Sequence, residues 1–347
     1  MARVDVTVDV TVRGAGIFGL SIAFACARRG ARVRVIDPGG VGAGSSGGLV
    51  GALAPHVPEA WNGKKQFQLE SLLMAEGWWA EVGAVSGLAT GYLRSGRLQP
   101  LMDARAVEVA RGREVTAAAL WGDAAVWRVE DAPAGWGPVS ATGLVVRDTL
   151  TARLSPRIGL AALAGAVVAL GGEVVRDGTE AGAVVDATGV AGLAALSGSV
   201  GRAVGGGVKG QAAALRFDAA GWPQVFADAL HIVPHVNGTV AIGSTSESAW
   251  QDLGTDAALE ALIAQAVAAV PMLEGAAVVE RWAGVRPRAR SRAPMLGPWP
   301  GRPGWFVANG GFKIGFGMAP KVAEVMADLV LERRDGVPDG FRVEASL

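Results

Sequence analysis

The chain has 347 residues, half of them apolar, and its 32 basic side chains match its 32 acidic ones. This length predicts two lobes rather than one simple core, while the zero formal charge and the single cysteine argue against a nucleic-acid partner and exclude an internal disulfide. The longest apolar stretch, residues 158–170, is shorter than the ~20 residues of a membrane span, and no apolar signal core precedes the first predicted strand, so we expect a cytoplasmic protein without membrane contact.

The first predicted elements form a βαβ unit. Alternating valines predict a strand over residues 4–13, followed by a helix over 17–29 and a second strand over 31–36. Between the first strand and the helix lies G-A-G-I-F-G at residues 14–19, whose glycines suit a tight turn, close approach to a pyrophosphate and close helix packing. Asp37 ends the second strand, where a carboxylate can accept hydrogen bonds from an adenosine ribose and would repel the extra phosphate of NADP. The unit therefore predicts a dinucleotide site at the N-terminus of the helix.

The rest of the chain alternates between predicted helices and short strands. Helices are expected over 67–82, 157–170, 257–270 and 318–331, and strands over 125–129, 143–147, 174–175, 183–186, 210–217, 231–235, 239–243 and 304–308. The stretch 88–146, rich in glycine, arginine and tryptophan, shows only short strand-like runs. This order of elements predicts an α/β fold with a Rossmann-type domain.

Three later segments favour FAD over NAD. The loop 42–48 contains Ser45, Ser46 and Gly48, whose hydroxyl and N–H groups can hold the second half of a longer cofactor. The predicted strand that ends at residue 186 is followed by a turn of small residues, and a glycine-rich segment at 309–315 precedes the last helix, whose N-terminus can face the electron-rich N1/C2=O end of a flavin. The candidate cofactor-binding residues are Gly14, Gly16, Ile17, Phe18, Gly19, Asp37, Ser45, Ser46, Gly48, Val175, Thr188, Gly189, Gly311, Phe312, Lys313 and Ile314.

These motifs resemble the D-amino-acid oxidase superfamily of FAD enzymes, especially its glycine oxidase and sarcosine oxidase branch. The likeness covers nearly the whole chain, and its most specific match is W-A-G-V-R-P at 282–287 followed by A-P-M-L-G at 293–297. Relatives that attach the flavin covalently use a histidine or cysteine where this chain has neither, so the resemblance implies non-covalent FAD. It also implies an α+β substrate domain on an antiparallel sheet. The implied domains are 1–86, 149–201 and 285–347 for FAD, and 87–148 and 202–284 for substrate.

The resemblance also implies three substrate-facing residues. Arg286 matches the family's carboxylate clamp, which its planar guanidinium suits, although a surface arginine in an arginine-rich stretch is the alternative. His231 stands where relatives often have a substrate-facing tyrosine, and Lys313 follows Phe312 where they often have a basic pair; a structural role stays open for both. In such relatives a hydride passes from the substrate to flavin N5, so the protein has to aim the C–H bond and exclude water, and needs neither a catalytic triad nor a metal.

Three functional hypotheses stay open. The first is an FAD-dependent oxidoreductase acting on the C–N bond of a small amine or amino acid of the glycine, sarcosine or D-amino-acid type, with oxygen or another electron acceptor. The second is a tRNA-modifying FAD oxidase acting on a carboxymethylaminomethyl-uridine, because S-G-G-L-V-G-A-L-A-P-H at 46–56 also resembles the oxidase domain of the tRNA wobble-uridine modification enzyme. The third is a non-catalytic flavin-binding protein. The sequence leaves the substrate and the oligomeric state open.

Overall fold

The computed structural model describes residues 7–347, so the first residues of the strand predicted over 4–13 lie outside the described part. The helices are α1 (Ile17–Ala27), α2 (Gly63–Ser86), α3 (Ala104–Trp121), α4 (Pro156–Ala169), α5 (Val190–Val200), α6 (Ala257–Ala269) and α7 (Gly315–Glu332). The strands are β1 (Val10–Arg13), β2 (Val33–Ile36), β3 (Ala52–Leu53), β4 (Arg97–Pro100), β5 (Trp127–Asp131), β6 (Leu144–Asp148), β7 (Ala152–Arg153), β8 (Glu173–Val175), β9 (Ala183–Asp186), β10 (Gly205–Arg216), β11 (Gln224–Ala227), β12 (Leu230–Pro234), β13 (Thr239–Gly243), β14 (Val278–Ala289), β15 (Met295–Pro298) and β16 (Trp305–Asn309).

The first sheet has the order β15-β16-β9-β1-β2-β8 and is parallel apart from the β15–β16 pair. Strands β1, β2 and β9 are adjacent, with Arg13 level with Ile36 on one side and with Asp186 on the other. Helix α1 is buried along its whole length and contacts α4 and α7. Because α1 has no polar face, it is a core helix, and it places the glycine segment before it at the carboxyl edge of the sheet.

The second sheet has the order β14-β10-β13-β12-β11-β4-β6-β5 and is antiparallel apart from the β11–β4 pair. Its apolar core packs against α6 through buried residues that include Leu215, Ile232, Ile242 and Leu259. This is the antiparallel sheet that the resemblance implies beside a Rossmann-type sheet. The expected domain limits stay a prediction. Strand β14 crosses the expected boundary at 284/285 without a break.

Several predicted elements have different limits in the structure. Helix α2 begins four residues earlier than expected because the Asn62 side chain accepts a hydrogen bond from the Lys65 N–H (3.1 Å). It ends at Ser86, before Gly87, which has a left-handed φ of 68°. Helix α3 was not predicted, because its buried residues are only Ala110, Ala117 and Trp121. Helix α5 and strand β14 were also missed. The apolar stretch 158–170 is the largely buried α4, and within residues 7–347 no helix has the length and apolar character needed to cross a bilayer.

A buried ion pair joins β4 to β6. Arg97 and Asp148 are register partners, and the Arg97 Nε–H donates to Asp148 Oδ2 at 2.8 Å. The other carboxylate oxygen accepts a hydrogen bond from the Thr151 backbone N–H at 2.9 Å. Both charged side chains are almost fully removed from water. Breaking this pair would leave an uncompensated charge in the interior.

We expect Asp148→Ala to lower the free energy of unfolding by about 3–5 kcal/mol, because it leaves the Arg97 guanidinium buried without its carboxylate. Denaturant unfolding followed by tryptophan fluorescence measures this change. The matched control is Glu260→Ala, which removes an exposed carboxylate that pairs with Arg281 (3.0 Å) and should leave the midpoint almost unchanged. Equal midpoint shifts in the two variants would contradict the prediction.

Candidate active site

A cavity of about 1090 Å³ runs along the carboxyl edge of the first sheet and reaches the second sheet. Its lining begins near Asp37 after β2, passes the turns that follow β1 and β9, and ends at His231, Arg286 and Lys313. Ligands of open α/β sheets bind at this edge, outside the carboxyl ends of the strands. The continuous shape fits an extended ligand.

The glycine turn after β1 is shaped by close backbone contacts. Gly14 has a φ of 100°, and a Cβ placed there would lie 2.5 Å from the Ala187 carbonyl oxygen. A Cβ at Gly19 would overlap the Gly14 carbonyl, so α1 can approach the turn only with glycine at this position. Helix α1 starts after Gly16, which has no side chain to cap it. Gly16, Ile17 and Phe18 line the cavity, so the positive end of this helix faces it and suits phosphate oxygens.

A serine loop covers the start of α1. Ser45 and Ser46 form a short 3₁₀ turn with Gly47, and Ser46 Oγ accepts a hydrogen bond from the Ile17 N–H at 3.1 Å. The next residue, Gly48, lies against the substrate sheet, since a Cβ there would come within 3.2 Å of the Trp282 ring. The loop thus joins the first helix to β14, and Ser45, Ser46 and Gly48 all line the cavity.

Asp37 is held at one end of the cavity by two backbone groups. Its Oδ2 accepts a hydrogen bond from the Ala15 N–H (2.8 Å), and its Oδ1 accepts one from the Gly39 N–H (2.9 Å). An ionised carboxylate offers about four acceptor positions. Asp37 therefore keeps acceptor capacity for the hydroxyls of a ribose.

The turn after β9 is held by Asp186. Thr188 donates to Asp186 Oδ1 from its backbone N–H (3.2 Å) and from its hydroxyl (2.8 Å), while the Asn309 side-chain amide donates to the Gly189 carbonyl at 2.8 Å. A Cβ at Gly192 would fall within 2.8 Å of the Asn309 amide nitrogen. These contacts fix Thr188 and Gly189 in the cavity wall.

The segment before α7 brings Phe312 and Lys313 to the other end of the cavity. Phe312 adopts a left-handed φ of 45°, and its N–H donates to the Pro287 carbonyl at 3.1 Å. A Cβ at Gly311 would lie 2.9 Å from the Phe18 ring, so only glycine lets this segment pass so close to α1. Helix α7 then begins after Ile314 without a side-chain cap.

Arg286 lies at this end with its side chain 8% exposed. Its Nη1 donates to the Ser244 hydroxyl (2.5 Å), and its Nη2 donates to the backbone carbonyls of Thr245 (2.5 Å) and Lys209 (3.3 Å). These acceptors fix the guanidinium plane while they leave N–H groups of the five-donor fork uncommitted. Burial lowers the pKa of Arg286 to about 10, an effect that the negative charge of Glu247 opposes, so the side chain is a cation at neutral pH.

A network of charged side chains is linked to Arg286 through Thr245. The Gln211 side-chain amide donates to Glu247 (3.0 Å) and to Asp256 (2.9 Å), and the Thr245 hydroxyl donates to Glu247. The Lys209 ammonium, which is buried, lies 3.6 Å from Glu247 and 3.8 Å from Asp256. The two carboxylates balance the charges of Lys209 and Arg286, which lets two cations lie in neighbouring strands.

His231 and Lys313 complete this end of the cavity. His231 in β12 is paired across the sheet with Phe226, and their ring centroids are 4.6 Å apart. Burial lowers the pKa of His231 to about 3, and the positive charges of Arg97 and Lys313 act in the same direction, so the imidazole is neutral at physiological pH. The Lys313 side chain is open to the cavity; desolvation and the charge of Arg286 lower its pKa.

The structure brings most of the predicted site residues to one cavity. Gly19, Val175 and Ile314 do not line it: Gly19 packs α1 onto the turn, the Val175 carbonyl accepts the Asp37 N–H (3.0 Å), and Ile314 precedes α7. The lining residues that were not predicted include Arg13 at the end of β1, and Phe226, Ser244 and Trp282 in or next to strands of the second sheet. The available signals were that Trp282 opens the W-A-G-V-R-P motif and that Ser244 directly follows a predicted strand.

The residues present fit FAD. One cavity contains an acid at one end, glycine turns that a Cβ would fill, and the N-termini of α1 and α7. The positive ends of these helices suit the diphosphate at α1 and the electron-rich edge of the flavin at α7.

Comparisons with known proteins agree with this fit. A glycine oxidase from Pseudomonas putida is 39% identical over 107 residues, which cover 30% of this chain and 29% of that protein. The bifunctional protein ThiO/ThiG from Nostoc sp. is 26% identical over 94% of this chain and 53% of its own length. The chain thus spans about a third to a half of the length of these two relatives. The crystal structure of glycine oxidase from Geobacillus kaustophilus superimposes with a TM-score of 0.83 at 26% identity, covering 95% of this chain and 96% of that one.

The sequence profile described as FAD dependent oxidoreductase matches residues 9–329. The match includes both sheets and every segment that lines the cavity. The chain therefore belongs to this family of FAD dependent oxidoreductases, within the D-amino-acid oxidase superfamily and similar to glycine oxidases, and FAD is its cofactor.

Proposed function

We propose that this enzyme oxidises the C–N bond of a small amine or amino acid of the glycine, sarcosine or D-amino-acid type, with oxygen or another acceptor taking the electrons. The observation that carries the proposal is Arg286, a fixed cation at the end of a cavity that fits FAD. The glycine oxidases among its relatives support an amino-acid substrate. FAD would supply the chemistry by accepting a hydride from the substrate α-carbon at N5.

The protein's part is to bind and orient the substrate. A free N–H of Arg286 can hold the substrate carboxylate, and the Ser244 and Thr245 acceptors keep the guanidinium from rotating. The aromatic rings of Phe226 and Phe312 flank this end of the cavity and exclude water from the reacting bond. Binding energy is thereby used to aim the C–H bond.

The charges at this end also select the protonation state of the amine. Arg286 and Lys313 are cations and His231 is neutral, so a positively charged nitrogen is disfavoured here. An amino acid that binds with its carboxylate on Arg286 therefore loses its ammonium proton more readily than it does in water. The electron pair of the neutral amine is then free to assist hydride departure, and no side-chain base is required.

The structure does not favour the tRNA-modifying hypothesis over this proposal. The arginine-rich stretch 281–292 does not form one free basic surface, because Arg286 faces the cavity and Arg281 pairs with Glu260 at 3.0 Å. We do not retain the hypothesis of a non-catalytic flavin-binding protein, because the chain belongs to a family of oxidoreductases.

The direct test is anaerobic bleaching of the flavin by glycine, sarcosine and D-alanine. We expect at least one of them to bleach the wild type, and Arg286→Met to raise its half-saturation concentration by roughly ten- to a hundredfold, because about 1.5–3 kcal/mol of charge-assisted hydrogen bonding is lost. Arg281→Met, on the same strand but exposed, is the matched control. Failure of every amine to bleach the flavin would overturn the proposed function, and unchanged saturation in Arg286→Met would remove Arg286 from the site.

A second test concerns pH. Because the pKa of His231 is lowered to about 3, the ring is protonated only in strong acid and stays neutral between about pH 5 and 8. We therefore expect kcat/KM profiles of wild type and His231→Asn to have the same shape over this interval, whatever their absolute values. An acid limb near about pH 6.5 that is present in the wild type and absent in His231→Asn would show that this histidine titrates during turnover.

A further inference from the structure

We propose that Glu180 and Arg13 recognise the adenine base of FAD. The Glu180 carboxylate accepts a hydrogen bond from the exocyclic amino group of the base, and the Arg13 guanidinium donates one to a neighbouring ring nitrogen. Both side chains line the dinucleotide end of the cavity, whereas Val175, which was expected among the cofactor contacts, does not. The inference concerns the cofactor and does not depend on which amine the enzyme oxidises.

The first argument is the order of the subsites along the cavity. The N-terminus of α1 suits the diphosphate, and Asp37 suits the adenosine ribose. The base therefore lies beyond Asp37, on the side away from α1. Arg13 and Ile36 end β1 and β2 at the same level, directly before the glycine turn and Asp37. Glu180 Oε1 lies 3.4 Å from Arg13 Nε, so this pair is beside the ribose position and not at the substrate end.

The second argument is that the link between β8 and β9 is fixed on both sides of Glu180. Before it, the Thr179 carbonyl accepts a hydrogen bond from Arg34 Nη1 at 3.1 Å. After it, the Thr11 hydroxyl donates to the Ala181 carbonyl (2.7 Å) and accepts from the Ala181 N–H (3.0 Å). Since Thr11 and Arg34 belong to β1 and β2, the backbone at Glu180 is anchored to the first sheet. Its carboxylate is thus held in place before a ligand arrives.

The third argument is unused hydrogen-bonding capacity. Arg13 lies 3.4 Å from Glu180 and 3.9 Å from Asp186, and within residues 7–347 these contacts are ion pairs without a hydrogen bond. The side chains of Arg13 and Glu180 are about half-exposed at the cavity wall. A guanidinium only donates and an ionised carboxylate only accepts. Adenine carries an amino donor beside a ring-nitrogen acceptor, so the pair is complementary to this edge of the base.

The test uses etheno-FAD, in which the adenine amino group is closed into an added ring and has lost its N–H donors. Protein freed of flavin is reconstituted in an equimolar excess of FAD and etheno-FAD. The bound flavins are then released by denaturation, separated and quantified. We expect the wild type to retain FAD over etheno-FAD by at least about tenfold, as for a lost charge-assisted hydrogen bond. Glu180→Met should reduce the preference below about threefold, and Glu180→Gln, which keeps an oxygen acceptor, should retain part of it.

Asp177→Asn is the matched control, because it removes a carboxylate from the same link. Asp177 is exposed, accepts a hydrogen bond from the Gly178 N–H (2.9 Å) and lies outside the cavity lining. This variant should keep the preference of the wild type. A wild-type preference below about tenfold, or one that survives in Glu180→Met, overturns the inference, since the added ring would then be rejected for its size alone.

The contribution of Arg13 is measured separately, by titrating flavin-free protein with FAD and following the quenching of flavin fluorescence. We expect Arg13→Met to raise the Kd for FAD by at least about fivefold, because a charged donor to the base is lost. An unchanged Kd overturns the role of Arg13. Neither experiment measures turnover, so its failure leaves the proposed amine oxidation untouched.

Discussion

The structure depends on how closely backbone segments approach one another at the carboxyl edge of the first sheet. Gly14 meets the Ala187 carbonyl, Gly19 meets the Gly14 carbonyl, and Gly311 meets the Phe18 ring, each at a distance that leaves no room for a Cβ. Three turns that are far apart in the sequence can therefore line one cavity.

The second sheet contributes charged side chains to the cavity and to its surroundings. Strand β14 brings Arg286 to the cavity, and its long pairing with β10 sets Val208 opposite Arg286 and Lys209 opposite Val285, while the guanidinium lies over Gly210. Burying two cations in adjacent strands is tolerable only because Glu247 and Asp256 lie within reach. His231, at the same end of the cavity, is kept neutral mainly by burial, which lowers its pKa, and the charges of Arg97 and Lys313 act in the same direction.

Sequence reasoning was most successful where the signal is local. The G-A-G-I-F-G turn and Asp37 lie within one βαβ unit, so spacing alone located them, and the family resemblance located Arg286. Phe226, Ser244 and Trp282 were missed because they converge on the cavity through pairing between strands distant in sequence. Helix α3 was missed because its buried face consists largely of alanine, which gives little contrast with its exposed residues. The ion pairs that balance the charges near Arg286 could not be predicted either, because a sequence motif does not give the distances between side chains.

The contact between Gly48 and the Trp282 ring links the cofactor loop to the substrate sheet. A cofactor that binds this loop therefore also stabilises the packing of β14 against it, because a ligand that binds only the folded state raises the free energy of unfolding.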